Sequence, residues 1–219
     1  MIRFLDVTKV YAANGLRKTV ADHLTFTLPG DQSIALLGRN GAGKSTLLRL
    51  IAGTMRPTSG RIEIDGRVSW PVGFSGTFHS DLTGLQNTRF VARIYGVDSD
   101  ELTTLVEDFA GIGSHFNLPV RTYSAGMRAR LAFALSMGID FDTYLIDEVT
   151  SVGDAAFRER CEVMLADRLQ GRGAIVVAHN MLVLKRICTS ALLLENGRMT
   201  WFDDVNDGIA AHESNMRAA

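Results

Sequence analysis

The sequence has little of what marks a secreted, membrane-spanning or nucleic-acid-binding protein. Only two cysteines occur in 219 residues, Cys161 and Cys188. They lie far apart with no cysteine or histidine partners at metal-ligand spacing, so neither a disulfide framework nor a metal site is expected. No apolar stretch approaches the roughly 18 residues that span a bilayer, and the N-terminus does not read as a signal peptide. The formal net charge is -1, which gives no general attraction to nucleic acid. We therefore expect a cytosolic chain that another subunit holds if it works at a membrane.

A glycine-rich loop is the strongest motif present. It fits the pattern of glycine, four residues, then glycine-lysine-serine, which binds phosphate through backbone N–H groups. The apolar run Ile34–Leu37 precedes the loop and predicts a buried strand, and a helical pattern follows it. In this context the lysine is expected to contact the outer phosphates and the serine hydroxyl to bind Mg²⁺. The loop consists of Gly38, Arg39, Asn40, Gly41, Ala42, Gly43, Lys44, Ser45 and Thr46.

The order of patterns along the chain predicts an α/β fold built as a P-loop NTPase core with a mainly parallel sheet. Alternating residues in the first thirty positions predict an N-terminal antiparallel β-subdomain, and Asp65-Gly66 predicts a turn from one short strand back toward the next. Residues 81–139 are predicted to form an inserted α-helical subdomain, with a capping box of Thr83 and Gln86 at one helix and Asp98 at the start of the next. Strands alternating with helices from residue 143 onward predict parallel pairing with helical crossovers, and Asn196-Gly197 predicts a hairpin turn. We therefore expect one domain, with 1–80 and 140–219 forming the core.

Two apolar segments end in residues suited to phosphate chemistry. The strand predicted at Thr143–Ile146 is followed by Asp147 and Glu148, and we expect it to lie beside the strand that precedes the loop. Asp147 would then hold Mg²⁺ with Ser45, and Glu148 would polarise an attacking water. A further strand ends in His179, which is expected at the same crevice, where it can contact the γ-phosphate.

A helix start about twenty residues before Asp147 could form a second phosphate cradle. The segment combines a hydroxyl, two small residues and free N–H groups at a helix N-terminus. Taken alone it reads as an ordinary capped helix, and only its position beside the other motifs raises its significance. The residues concerned are Ser124, Ala125, Gly126 and Met127.

Together these motifs resemble the nucleotide-binding subunit of an ABC transporter over nearly the whole chain. The resemblance implies that Ser124–Met127 is the signature segment, that Ser151–Asp154 is the D-loop with Asp154 near the nucleotide, and that His179 is the switch histidine. It also implies that Tyr11 stacks on adenine. In this family two copies meet head to tail, and each ATP lies between the P-loop of one copy and the signature of the other.

The sequence departs from the common family pattern in three places. Tyr123, Ala125 and Met127 replace the usual leucine, glycine and glutamine of the signature, and Gly153 replaces a leucine of the D-loop. The glutamine of the Q-loop is missing, because its expected position falls near Phe74. The contact that this loop makes to Mg²⁺ and water in the family is therefore not expected here.

Further segments resemble the ATPases of Gram-negative capsular polysaccharide exporters. They are Ser69–Gly73, Leu82–Asn87, Tyr123–Met127 and Asp147–Asp154. The resemblance implies an ATP- and Mg²⁺-dependent ATPase at the cytoplasmic face of the inner membrane. Its partners would be a second copy, an integral membrane permease and, through the permease, periplasmic and outer-membrane export proteins.

Four alternatives to this function can be compared with the sequence. The chain could serve another exporter, for O-antigen, teichoic acid or another lipid-linked substrate. A non-transport ABC ATPase would need coiled coils, zinc modules or basic surfaces, which the sequence lacks. A GTPase would need an Asn-Lys-x-Asp motif, and a phosphotransferase would leave the signature segment unexplained.

Overall fold

The computed structural model describes residues 1–13, 15–72, 78–147 and 154–217. Within these ranges the chain forms nine β-strands and seven α-helices. The strands are β1 (Ile2–Ala13), β2 (Leu16–Leu28), β3 (Ser33–Leu37), β4 (Ser59–Ile64), β5 (Val68–Val72), β6 (Thr143–Asp147), β7 (Gly173–Val177), β8 (Ser190–Glu195) and β9 (Arg198–Phe202). The helices are α1 (Lys44–Ile51), α2 (Gly84–Tyr95), α3 (Ser99–Ala110), α4 (Ala125–Met137), α5 (Ala155–Arg168), α6 (Met181–Ile187) and α7 (Val205–Arg217). None of the described helices combines the length and apolarity that crossing a bilayer requires.

The first sheet confirms the predicted antiparallel β-subdomain. Its three strands lie in the order β2-β1-β4, and both pairings are antiparallel. The predicted return from β4 toward β5 is wrong, because β4 pairs with β1 while β5 belongs to the other sheet. Asp65-Gly66 is therefore a connection between two sheets and not a hairpin turn.

The second sheet has six strands in the order β5-β6-β7-β3-β8-β9. Parallel pairs join β3 to β7, β3 to β8, and β6 to β7, whereas β8 and β9 form an antiparallel hairpin. The hairpin was expected from Asn196-Gly197, and both residues have the positive φ angles, 49° and 78°, that a type I′ turn needs. The expected pairing of β6 with β3 is wrong, because β7 lies between them.

The chain divides into two compact units, one with both sheets and helices α1, α6 and α7, and one with α2 to α5. The predicted helical insert, 81–139, contains α2 to α4, whereas the second unit also includes α5. In the first unit, apolar residues from both sheets and α1 form one buried cluster that includes Phe4, Leu36, Leu48 and Leu145.

Local sequence signals set the helix ends of the second unit. Thr83 and Gln86 form the expected capping box at α2, and Gly96 ends that helix in the left-handed conformation. Asp98 caps α3, accepting hydrogen bonds from the N–H groups of Asp100 and Glu101.

Asn87 holds the loop that leads into α2. Its side chain is only 2% exposed. Its Nδ2 donates to the carbonyl oxygens of His79, Leu82 and Thr83 at 3.1, 3.3 and 2.9 Å, and its Oδ1 accepts from the His79 N–H at 2.9 Å. One amide therefore satisfies four backbone groups of an irregular segment.

We expect Asn87→Leu to lower the free energy of unfolding by about 2 kcal/mol or more, because each buried polar group left without a partner costs about 1–3 kcal/mol. Urea unfolding followed by circular dichroism would measure the loss. Asn117→Leu is the matched control, since Asn117 is exposed in the same unit. Equal midpoints for the two variants would contradict the assigned role of Asn87.

Candidate functional site

The loop between β3 and α1 forms a cradle of backbone N–H groups. Gly38, Gly41 and Gly43 have φ angles of 150°, 78° and 113°, which side-chain-bearing residues rarely adopt. Helix α1 begins directly after Gly43, and no side chain caps it. Its first N–H groups and the positive end of its dipole are therefore available to an anion.

Val20 on β2 restricts which residues can occupy the loop. A Cβ atom at Gly43 would lie 1.9 Å from Val20 Cγ1 and 3.2 Å from its Cβ. A Cβ at Gly38 would lie 2.6 Å from the carbonyl oxygen of Leu194. The loop is thus pressed against β2 on one side and β8 on the other, and only glycine fits at these two positions.

Two lysines contact the carbonyl groups of the loop. Lys44 Nζ donates to the carbonyl oxygens of Gly38 and Arg39 at 2.6 and 3.2 Å, which holds the ammonium group over the loop. Lys18 Nζ, from β2, donates to the carbonyl oxygen of Gly41 at 2.7 Å. Both ammonium groups thus add positive charge where the N–H groups converge.

A cavity of about 320 Å³, called here the nucleotide cavity, lies over the loop. It brings together three predicted site residues from separate elements: Tyr11 on β1, Ser45 on α1 and Asp147 at the end of β6. A hydroxyl and a carboxylate therefore face one space next to the N–H cradle. The full lining is Tyr11, Lys18, Val20, Asn40, Gly41, Gly43, Lys44, Ser45, Thr46, Asp147 and Val177.

Tyr11 lies at the outer end of the nucleotide cavity. Its side chain is 40% exposed. The hydroxyl lies 3.2 Å from Thr46 Oγ1 and donates to Met55 Sδ at 3.2 Å. Lys9 Nζ lies 5.3 Å from the ring centroid. The ring is therefore fixed by its hydroxyl at the cavity edge.

A second cavity of about 370 Å³, called here the phosphate-side cavity, shares the loop and Lys44 with the first. His179, which follows β7, lines it together with Arg39 and Asn40. Because β7 lies between β3 and β6, His179 follows the strand between the glycine loop and Asp147. The full lining is Leu36, Leu37, Gly38, Arg39, Asn40, Lys44, Val177, Ala178, His179, Met181, His212 and Met216.

The signature segment, Ser124–Met127, belongs to the second unit and begins α4. Ser124 caps the helix by accepting a hydrogen bond from the Met127 N–H at 3.2 Å. Ser124, Ala125 and Gly126 are exposed. The segment therefore presents an exposed helix N-terminus, as its sequence predicted.

Tyr123, one of the departures from the family pattern, has a structural role. Its side chain is buried, donates to the carbonyl oxygen of His115 at 2.7 Å and accepts from the Gly84 N–H at 3.2 Å. Gly84 is required here, since a Cβ on it would lie 2.5 Å from the Tyr123 hydroxyl oxygen. The tyrosine thus joins the start of α2 to the segment before α4.

Asp154, predicted near the nucleotide, makes its described contacts within the second unit. Its carboxylate accepts from the Phe157 N–H at 2.9 Å, and its Oδ2 pairs with Arg130 at 2.7 Å. The Phe157 N–H first, and then the charge of Arg130, hold the pKa of Asp154 below its usual value. The predicted residues Glu148, Ser151, Val152 and Gly153 lie outside the described residues, as does the Q-loop position at Phe74.

Sequence reasoning missed three residues of this region: Lys18, Val20 and His212. Lys18 is opposite Tyr11 in the β1–β2 ladder. The Asn14-Gly15 pair in the sequence is a hairpin signal that would have given this register. No local sequence pattern predicts that Val20 or His212 lies at the site. Val20 reaches the loop through the packing of β2, and His212 through the packing of α7.

Comparison with known proteins agrees with this arrangement. The model of the ABC transporter family matches residues 21–151. The ATP-binding protein BexA of Haemophilus influenzae is 47% identical over 206 residues, covering 94% of this chain and 95% of that protein. The capsule polysaccharide export ATP-binding protein CtrD of Neisseria meningitidis serogroup B is 43% identical over 214 residues, covering 98% and 99%.

A solved structure shares the fold. The dimeric ATP-binding cassette MJ0796, in a post-hydrolysis state bound to ADP and Pi, superimposes with a TM-score of 0.76 at 20% identity. The match covers 92% of this chain and 98% of that chain.

We expect Gly43→Ala to weaken nucleotide binding about tenfold or more, because left-handed strain of about 1–3 kcal/mol and the clash with Val20 both displace the loop. Titration with a fluorescent ATP analogue would measure the change. Gly53→Ala is the matched control, since Gly53 also has a positive φ, 69°, but has no atom within 4 Å of an added Cβ. Equal affinities for the two variants would show that the packing against Val20 does not shape the site.

Proposed function

The chain belongs to the ABC transporter family, and on that premise we propose that it is the ATP-binding and ATP-hydrolysing subunit of a capsular polysaccharide exporter. The main observation in support of this proposal is that the glycine loop, Ser45 and Asp147 line one cavity, the nucleotide cavity. The named function of CtrD, whose length this chain covers almost entirely, supports the choice of substrate. We propose the cytoplasmic face of the inner membrane as its location.

ATP would occupy the nucleotide cavity with its phosphates on the loop. The exposed ring of Tyr11 would stack on adenine at the outer end. Backbone N–H groups of Gly41 to Thr46 and the start of α1 would hold the β-phosphate. Lys44 would exchange its carbonyl contacts for the outer phosphate oxygens, where its charge offsets the charge that develops in the transition state.

The residues present fit a magnesium ion. Ser45 and Asp147 offer a hydroxyl and a carboxylate to one cavity, and oxygen ligands from one or two side chains plus phosphates are what Mg²⁺ takes in such sites. When bound, Mg²⁺ supplies positive charge beside the phosphate oxygens. Asp147 is the half-buried last residue of the otherwise buried strand β6, and its backbone pairs with Val177 on β7.

Hydrolysis would then rest on two further residues. We assign Glu148 as the group that accepts a proton from the attacking water while the bond from the γ-phosphorus to the bridging oxygen breaks. His179 would contact the γ-phosphate from the phosphate-side cavity, which it lines together with Lys44.

The proposed active form is a head-to-tail dimer. The exposed N-terminus of α4, at Ser124–Met127, would complete the ATP site of a second copy, with Asp154 nearby. The dimeric state of MJ0796 supports the formation of a dimer. A membrane permease would bind the dimer and couple its closure to export, and periplasmic and outer-membrane proteins would connect through the permease.

We expect Glu148→Gln to bind ATP but to lose at least about 100-fold in turnover, since general base catalysis contributes about 10²–10⁴-fold. The variant should accumulate as an ATP-bound dimer in size-exclusion chromatography. Wild-type-like hydrolysis would remove Glu148 from the mechanism.

In cells lacking the chain, the wild type should restore surface capsule, whereas Glu148→Gln should leave polymer inside the cell. Loss of O-antigen or another lipid-linked polymer in place of capsule would favour the alternative exporter.

Mixing two inactive variants would test the composite site. Lys44→Ala and Ser124→Arg should each abolish hydrolysis as homodimers. In a mixed dimer both defects fall in one site and leave the other site intact, so activity should return to a fraction of the wild type. Steady-state phosphate release at varied mixing ratios would measure it, with each variant alone at the same total concentration as control. No recovery from a stable mixed dimer would contradict the head-to-tail arrangement.

A further inference from the structure

His212 lies in the phosphate-side cavity although no motif includes it. It belongs to α7, which packs on β8 and β3, and its side chain is 8% exposed. It lines the cavity together with Lys44, His179 and the loop residues Gly38 to Asn40. The C-terminal helix therefore places a buried imidazole against the loop proposed to hold the phosphates.

The imidazole has an unsatisfied nitrogen. Within the described part of the chain, Nδ1 of His212 is the one buried side-chain nitrogen or oxygen without a hydrogen-bond partner. A buried polar group without a partner is destabilising, and native proteins keep few of them. A histidine that served only to pack α7 on the sheet would gain from an apolar replacement, so packing alone does not account for it.

The charges around His212 favour its neutral form. Burial lowers its pKa below the usual value, and the ammonium group of Lys44 lowers it further, while Glu195 and Glu213 act in the opposite direction. Of the other charged or titratable groups, Arg39 and His179 line the same cavity.

The remaining basic residues near α7 do not reach this space. Lys185 and Arg186 on α6 and Arg198 on β9 are absent from the cavity lining. The nearest basic groups are therefore those of the loop and His179, and an anion bound among them would act directly on the imidazole.

We propose that His212 is part of the phosphate site: with ATP bound, its ring turns about the Cβ–Cγ bond, and the Nδ1–H that is buried in this structure donates a hydrogen bond to an outer phosphate oxygen, or to a water held by one, in the phosphate-side cavity. The proposal deepens the function proposed above and rests on it. The ligand chemistry it requires is a phosphate anion, either the γ-phosphate of ATP or the phosphate released from it.

Proton uptake follows from this arrangement. An anion next to His212 offsets the charge of Lys44, so the pKa of the imidazole rises on binding. Because that pKa is higher in the complex, the extra binding free energy is fully present below the pKa of the free protein. It is lost as the pH rises through the pKa of the complex.

Imidazole NMR of the full chain, with its five histidines isotopically labelled, would test this. The His212 signal would be assigned by its loss in His212→Asn and titrated with pH in four states: nucleotide-free, Mg·ADP, Mg·ADP with inorganic phosphate, and Mg·AMP-PNP. We expect the pKa of His212 to rise with AMP-PNP and to change little with ADP. A rise with ADP plus phosphate alone would identify the released phosphate as the ligand. The same titration curve in all four states would overturn the proposal.

Affinity measurements separate hydrogen bonding from packing. His212→Leu should weaken AMP-PNP binding at pH 6.5 about tenfold, as for loss of a hydrogen bond to a charged group, and leave ADP affinity unchanged. His212→Asn, whose amide nitrogen falls near the position of Nδ1, should retain most of the affinity. His115→Gln is the control, since His115 is exposed in the other unit.

The outcomes distinguish the two proposals. If the wild type binds neither nucleotide, the ATPase assignment fails. If the wild type binds both and His212→Leu matches it for AMP-PNP, only the role of His212 fails. If His212→Leu does not fold, His212→Asn decides alone. Asparagine does not titrate, so an AMP-PNP affinity that follows the wild type at every pH would contradict the proposal.

Discussion

The close contact between Gly43 and Val20 is the constraint on which the proposed phosphate site depends. An anion site made of backbone N–H groups needs the chain to turn sharply, and a side chain at the turn would occupy the space of the anion or of the neighbouring strand. Here the neighbouring strand is β2, whose Val20 lies 1.9 Å from the position that a Cβ of residue 43 would take. The antiparallel sheet, through β2, therefore supports the loop from outside the parallel sheet. The same strand carries Lys18 to the loop carbonyl of Gly41.

The sequence predicted those parts of the fold that local chemistry determines. Thr83 with Gln86, Asp98 and Ser124 each bind backbone groups within a few residues, and Asn196-Gly197 has the positive φ angles of its turn, so these patterns were sufficient. The order of the parallel strands was not predicted correctly, because it depends on packing between segments far apart in the chain. Nothing near β3 or β6 indicates that β7, some thirty residues after β6, is inserted between them.

The same distinction applies to the site. The glycine loop and the Asp147 strand end could be recognised because each is a continuous motif. His212 could not, because its position depends on α7 packing against β3, whose last residues line the same cavity, and a lone histidine on a helix carries no signal. Tyr123 shows the converse case. It departs from the usual leucine of the signature, and the sequence offered no reason for the change, whereas its buried hydroxyl joins His115 and Gly84, so the internal packing of the helical unit explains the substitution.

One histidine directly after β7 and another on α7 determine how the proposed site can respond to its ligand. The two residues line one cavity with Lys44, so a phosphate charge there acts on elements from three parts of the first unit: α1, the end of β7 and the C-terminal helix. A buried imidazole nitrogen without a hydrogen-bond partner is unfavourable. An anion in this cavity would accept a hydrogen bond from it and offset the positive charge of Lys44. In the proposed reaction the γ-phosphate is the group that is present before hydrolysis and separated afterwards. The pKa of His212 on α7 would therefore change when the γ-phosphate is separated from the nucleotide. Binding of ADP alone would leave this pKa unchanged.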